Sequence, residues 1–140
     1  MPAVYVAQSP AQQEWGSDVG ISKDIYKVGL ADGDGDAAAK AAVEALNADK
    51  ACGQTDWQLI GTKDVEIDSE EAVIAKLADR QKMIDPNYYP KLKGVKGIFK
   101  VNVRNVEAHI VIKNTMDGKA SKVPKLKPKD IAAYLLSALA

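Results

Sequence analysis

The sequence predicts a small α/β domain of the α+β kind, in which a three-stranded sheet is flanked by helices. Three β-prone runs lie at 4–7, 25–30 and 56–67, and stretches with the helical spacing of apolar residues precede and follow the third run. The length of 140 residues and the hydrophobic content of 46% are typical of one packed domain. We therefore expect an α/β domain over residues 1–112, followed by a basic extended arm and a C-terminal helix over residues 113–140.

Two helices are predicted on either side of the third run. The alanine-rich segment 37–46 places its apolar residues on one face. The second helix opens at Asp68, which together with a glutamate three residues later has the form of a capping box, and it continues to about residue 83. By contrast, the polar segment 9–22 is predicted to be a long connection between the first two strands.

A C-terminal β-hairpin is predicted from two runs in which apolar residues alternate. Phe99, Val101 and Val103 share one side of the first run, and the alternation resumes over residues 106–112. Because the second run also has the length of a short helix, a helix over residues 106–112 stays open as an alternative.

The end of the chain is predicted to form an arm and then a helix. Residues 116–129 are rich in lysine and contain two prolines, of which Pro128 suits the first turn of a helix. Ile131, Leu135 and Leu139 then form an apolar stripe, which must dock on the domain or on a partner. We assign these three residues to an interface.

The cysteine and histidine content excludes several kinds of site. Cys52 is the only cysteine and His109 the only histidine, which excludes an intrachain disulfide, a Cys/His zinc site and a Cys-based redox pair. A general base is limited to His109, a carboxylate, a tyrosine or a lysine with a shifted pKa. His109 itself lies in an alternating run and is predicted to be a rim or interface residue.

Charge is distributed unevenly along the chain. Residues 91–129 contain eleven lysines and arginines but only two acidic residues, although the formal net charge of the whole chain is zero. This asymmetry indicates a basic surface for an anionic partner, head-to-tail attraction between copies, or simply two solvated faces. Tyr88 and Tyr89 are available to stack on bases. We assign nucleic-acid or partner contacts to Lys91, Lys93, Lys96, Lys119, Lys122, Lys125 and Lys127.

The order of short motifs resembles a GIY-YIG nuclease domain of the small phage-type subgroup. The motifs are Val4-Tyr5-Val6, then Ile25-Tyr26-Lys27-Val28-Gly29, a helix, a strand, and a helix that opens with Glu70-Glu71. The resemblance covers about residues 4–103. It implies a mainly antiparallel sheet and a site that holds one divalent ion.

In that family two tyrosines, an arginine on the first helix and a glutamate on the next helix surround the ion. The glutamate holds the metal, the arginine stabilises charge on the phosphate, and a tyrosine with metal-bound water supplies the nucleophile. Tyr5 and Tyr26 match the tyrosines, and Glu70 or Glu71 matches the metal ligand. The tyrosines also fit half-buried strand positions, and Glu71 fits the capping box.

The arginine position of the family, about five residues before Asn47, is occupied by Ala42, and Lys40 is the nearest cation. Because a lysine lacks the guanidinium fork, this departure predicts loss of catalysis. We therefore expect a non-catalytic binding or structural module, without a cofactor, inside a larger assembly such as a phage particle or a phage-encoded complex. It would act on a protein partner or on further copies through its basic arm and terminal helix.

Two alternatives follow from the same residues. The first is a metal-dependent endonuclease that uses Mg²⁺ or Mn²⁺, with Lys40 in place of the arginine. The second is an accessory protein that binds nucleic acid without sequence preference. No apolar run reaches the ~18 residues that a membrane helix requires, so we expect no membrane contact and a location inside the host cell or on the virion.

Overall fold

The chain folds around an antiparallel sheet with helices on both faces, as an α+β fold. The computed structural model describes residues 2–67, 69–85, 87–89, 92, 95–116, 118, 126–137 and 139. Among these residues the sheet has five strands, two more than the three-stranded sheet predicted from the sequence. The α+β class is confirmed.

The strands are joined in the order β3-β1-β2-β5-β4, and every neighbouring pair is antiparallel. Their bounds are Ala3–Gln8 for β1, Ile25–Leu30 for β2, Gln58–Asp64 for β3, Lys82–Met83 for β4 and Ile98–Lys100 for β5. The register between β1 and β3 shifts beside Gly61. The five helices are Pro10–Asp18 (α1), Gly35–Ala48 (α2), Glu70–Ala78 (α3), Val103–Met116 (α4) and Pro128–Ser137 (α5), and a 3₁₀ turn spans Ala51–Gly53.

Helix α1 lies within the segment that was predicted to be a connection. Ser9 caps it by accepting a hydrogen bond from the Gln12 N–H at 3.1 Å, and Pro10 occupies the first turn. Asp56 then binds the cap from another part of the chain, because it accepts hydrogen bonds from the Ala11 N–H at 3.0 Å and from the Ser9 hydroxyl. A long-range partner therefore stabilises a helix that has little apolar patterning of its own.

The predicted C-terminal hairpin is wrong, because its second run is helix α4. The Asn102 side chain accepts a hydrogen bond from the Arg104 N–H at 3.0 Å at the start of the helix. Val106 is fully buried, and Ile110 packs against the same core. Residues four apart share one helix face. The apolar residues of the alternating run can therefore also line the side of a helix that packs on the sheet.

Strand β1 is buried on both faces, which explains its apolar sequence. Val4 and Val6 face a cluster completed by α3, α4 and α5. Tyr5 faces the opposite cluster, together with Ala39 and Val43 of α2. The alternation of the strand thus divides the core into two layers, one on each face of the sheet.

Helix α5 docks on the domain itself. Ile131, Leu135 and Leu139 are buried in the same cluster as β1, so the domain is the docking surface that the structure shows for a stripe expected to dock on the domain or on a partner. A Cβ at Gly61 would lie 2.6 Å from Ala132 Cβ, which means that the helix rests directly on the backbone of β3. The helix could approach so closely because glycine leaves that space open.

Two predictions of secondary structure fall on residues outside those described. Asp68, predicted to cap α3, is one of them, and Ser69 caps the helix by accepting a hydrogen bond from the Ala72 N–H at 3.4 Å. The predicted arm is the other, because residues 117 and 119–125 are not described. Each helix in the described part of the chain is too short or too polar to cross a membrane.

Candidate functional site

Tyr5 and Glu70 meet over Gly29, near the end of β2. The strand register places Tyr5 directly opposite Gly29. A Cβ at Gly29 would overlap the Tyr5 hydroxyl and would lie 2.6 Å from Glu70 Oε1. Glycine at this position therefore leaves the space in which the phenol and the carboxylate approach each other. Two of the residues matched to the GIY-YIG pattern are thus brought together.

Lys27 completes this group, although the sequence analysis did not assign it a role. Its side chain is only 5% exposed, and its Nζ lies 3.7 Å from Glu70 Oε1. The same ammonium donates a hydrogen bond to the Val28 carbonyl at 3.1 Å and lies 5.8 Å from the centroid of the Tyr5 ring. Strand alternation could have predicted this position. Residues 27 and 29 face the same side of the sheet, and Tyr5 is paired with Gly29 on that side.

Burial controls the ionisation of these groups. It lowers the pKa of Lys27, while the charges of Glu70 and then Cys52 act in the opposite direction. Burial also raises the pKa of Tyr5 far above its ordinary value, and the negative charge of Glu70 raises it further. A phenol is already protonated at neutral pH, and this rise makes Tyr5 a still poorer source of phenolate.

Glu70 already has partners on the protein. Its Oε1 accepts a hydrogen bond from the Leu30 N–H at 3.3 Å, in addition to the contact with Lys27. Its position in the first turn of α3 suits a carboxylate, because the helix dipole favours negative charge there. A divalent ion at this oxygen would face the Lys27 ammonium, and the two cations would repel each other. The donor set is therefore a poor fit for a divalent metal.

A cleft of about 410 Å³ opens beside Tyr5 and Glu70. Ala42, which the GIY-YIG resemblance would match to an arginine, lines it together with three further alanines of α2. The charged residues that line it, among those described, are Asp32, Asp49 and Glu70, and all three are acidic. The cleft therefore presents negative charge to any phosphate that enters it.

Tyr26 lies away from this cleft. It packs in the opposite core layer, because adjacent strand residues point to opposite faces of the sheet. Burial raises its pKa to about 12, the charge of Asp24 contributes in the same direction, and a hydrogen bond with Gln13 opposes the rise. Tyr26 and Tyr5 are thus separated by the sheet and do not form one pair.

The remaining predicted site residues are dispersed. Lys40 is exposed on α2 and is not among the described residues that line the cleft, and Glu71 is exposed beside Glu70. Lys96 and Lys127 are exposed, as a contact role requires. Lys91, Lys93, Lys119, Lys122 and Lys125 lie outside the described residues.

Comparison with protein-family models, with curated proteins and with solved structures finds no match for this chain. The geometry of Tyr5, Lys27, Glu70 and the adjoining cleft is therefore the basis on which the site is interpreted.

Proposed function

We propose that this chain is a non-catalytic, GIY-YIG-like binding module that works inside a larger assembly, such as a phage-encoded complex. The observation that carries the proposal is the acidic, alanine-lined cleft beside Tyr5 and Glu70. Cleavage of a phosphodiester needs positive charge where negative charge develops in the transition state. This cleft offers acidic groups where that positive charge is required.

Lys27 does not supply the missing cation. Its ammonium is buried, donates to the Val28 carbonyl and lies against Glu70, so its charge is already used inside the protein. Loss of one group that stabilises the transition state lowers turnover by roughly 10²- to 10³-fold. Glu70, the residue matched to the metal ligand, is also paired with Lys27, and this pairing is a second obstacle to hydrolysis.

A binding role agrees with the exposed surface. Helix α4 exposes Ile112 and Met116, which lie four residues apart and therefore on one face. Lys96 and Lys127 add exposed positive charge. Exposed apolar side chains and exposed lysines suit contact with a protein partner whose surface is acidic.

Cleavage assays test the proposal. The wild-type protein is incubated with plasmid DNA and Mg²⁺ or Mn²⁺, beside a variant with Glu70→Ala and Glu71→Ala prepared in the same way. We expect no nicking above the level of the variant with either metal. Nicking by the wild type that disappears in the variant would contradict a non-catalytic role.

A metal-dependent endonuclease is the second candidate, because Tyr5 and Glu70 do meet as that family requires. It predicts metal-dependent cleavage that is lost in the double-alanine variant. The same assay therefore separates the two functions.

A further inference from the structure

A second, basic cleft lies at the other end of β2, where Ile25 pairs with Lys100. It has a volume of about 660 Å³. Four cationic side chains line it, while the acidic residue in its described lining is Asp24. The four cations are Arg80, Lys82, Lys100 and Arg104.

These cations have no anionic partner on the described part of the protein. The one ion pair found there joins Lys27 to Glu70, at the other cleft. Arg80, Lys82 and Arg104 are exposed, and Lys100 is partly buried. Four converging like charges repel one another, and a bound anion relieves that repulsion.

Two further features fit the cleft to an anion. Gln81 lines it as a polar residue with 7% of its surface exposed. The first turn of α4 also lines it and contains no acidic residue. The dipole at a helix start favours negative charge nearby. A side-chain amide in the lining can donate a hydrogen bond to an anion.

An aromatic cleft of about 330 Å³ adjoins the basic one and shares Lys82 and Lys100 with it. Tyr88 lines this second cleft with 73% of its surface exposed. Its ring packs edge-on against Tyr89 at 4.8 Å, and Tyr89 packs edge-on against Trp15 at 5.6 Å. The aromatic contacts therefore hold Tyr88 in place while its ring stays accessible.

We propose that the two clefts form one groove that binds single-stranded nucleic acid. Phosphates lie against Arg80, Lys82, Lys100 and Arg104, the amide of Gln81 donates to a phosphate oxygen, and an unpaired base stacks on Tyr88. A cationic track beside an exposed aromatic ring is how proteins hold single strands without reading their sequence. A duplex offers the phosphates but keeps its base faces covered, so it lacks the second contact.

This inference goes beyond the proposed function and concerns a different surface. It needs neither the loss of catalysis nor the GIY-YIG resemblance. Failure of the groove to bind nucleic acid would leave the result of the cleavage assay unchanged. Likewise, cleavage of plasmid DNA would leave the binding of single strands in the groove untouched.

Fluorescence anisotropy of a labelled oligothymidylate of about 16 nucleotides tests the groove, with a duplex of equal length beside it. We expect the single strand to bind at least about fivefold more tightly than the duplex. Lys82→Glu combined with Arg104→Glu should weaken binding by about tenfold or more and reduce its salt dependence. Tyr88→Ala should weaken single-strand binding by roughly fivefold or more, while Tyr88→Phe, which keeps the ring, should bind as the wild type does.

The matched control is Lys40→Glu combined with Lys76→Glu, which makes the same charge change at exposed sites on α2 and α3. Circular dichroism confirms that each variant is folded. Equal weakening by the control and groove variants would overturn the proposal, because net charge alone would then explain binding. Equal affinity for duplex and single strand would also overturn the proposal. Binding of inorganic phosphate without binding of the oligonucleotide would do the same.

Discussion

The ammonium of Lys27 lies 3.7 Å from the carboxylate of Glu70, so a buried strand cation is neutralised by a half-exposed residue at the start of α3. The pair joins the sheet to helix α3 above Gly29, where the Tyr5 hydroxyl also lies. Its position explains why a carboxylate matched to a metal ligand acts here as the counter-charge of the protein's own lysine.

Glu70→Gln should destabilise the fold, because the ammonium of Lys27 would remain buried without a carboxylate. Breaking a fully buried pair costs about 3–5 kcal/mol. Glu70 is 48% exposed, so solvent screening reduces the expected loss to about 1–2 kcal/mol. Urea unfolding measures the change. Glu71→Gln is the matched control and should alter stability by less than about 0.5 kcal/mol; equal effects at the two positions would contradict the pairing.

Lys27→Met should strengthen the binding of Mn²⁺ at Glu70. The substitution removes the cation next to Oε1 and leaves an apolar side chain of similar length in the buried position. We expect affinity to rise by about tenfold or more, because the removed charge lies within a few ångströms of the added ion. Titration calorimetry with Mn²⁺ compares the wild type, Lys27→Met and the double variant Lys27→Met with Glu70→Gln. A gain that persists in the double variant would show that the ion binds elsewhere.

Tyr26→Phe should reduce the loss of stability at alkaline pH. The folded state raises the pKa of Tyr26 from 10.0 to about 12, so between these values the unfolded chain releases a proton that the folded chain retains. Stability therefore falls as pH rises through this window. The phenylalanine variant should lose up to roughly 2 kcal/mol less than the wild type between about pH 9 and pH 12. Unfolding curves measured at both pH values provide the comparison, and parallel losses in the two proteins would exclude this role for Tyr26.

Gly61→Ala should destabilise the chain by displacing α5. The added Cβ would lie 2.6 Å from Ala132 Cβ, closer than side chains tolerate. Overpacking of this kind costs about 1–3 kcal/mol. Thermal unfolding measures the loss, and Ala132→Gly introduced in the same chain should recover part of it by removing the opposing methyl group. Additive losses in the double variant would refute direct contact between the two positions.

The elements predicted correctly from the sequence are those with strong local patterns. Strands β1 and β2 follow apolar runs, and α2 and α5 follow helical spacing. Helix α1 was missed because Asp56, distant in sequence, stabilises its first turn. Strand β4 has only two residues, too few for any periodic signal.

The candidate site was predicted in part. Tyr5 and Glu70 were selected by their place in a motif, and their meeting depends on how α3 packs near β2, which no local pattern specifies. Tyr26 was selected by the same motif, although strand alternation already placed it on the other side from Gly29. Lys27 was overlooked because a lysine in a strand is usually solvated, and only the packed structure shows it buried.

The docking of α5 on β3 also has a consequence for biosynthesis. The apolar layer that contains Val4 and Val6 is formed from the first strand but is completed by residues of the last helix. A ribosome must therefore translate past residue 137 before this layer can close. Until then the emerging chain carries an uncovered apolar sheet, so chains interrupted during synthesis should be substrates for chaperones and proteases.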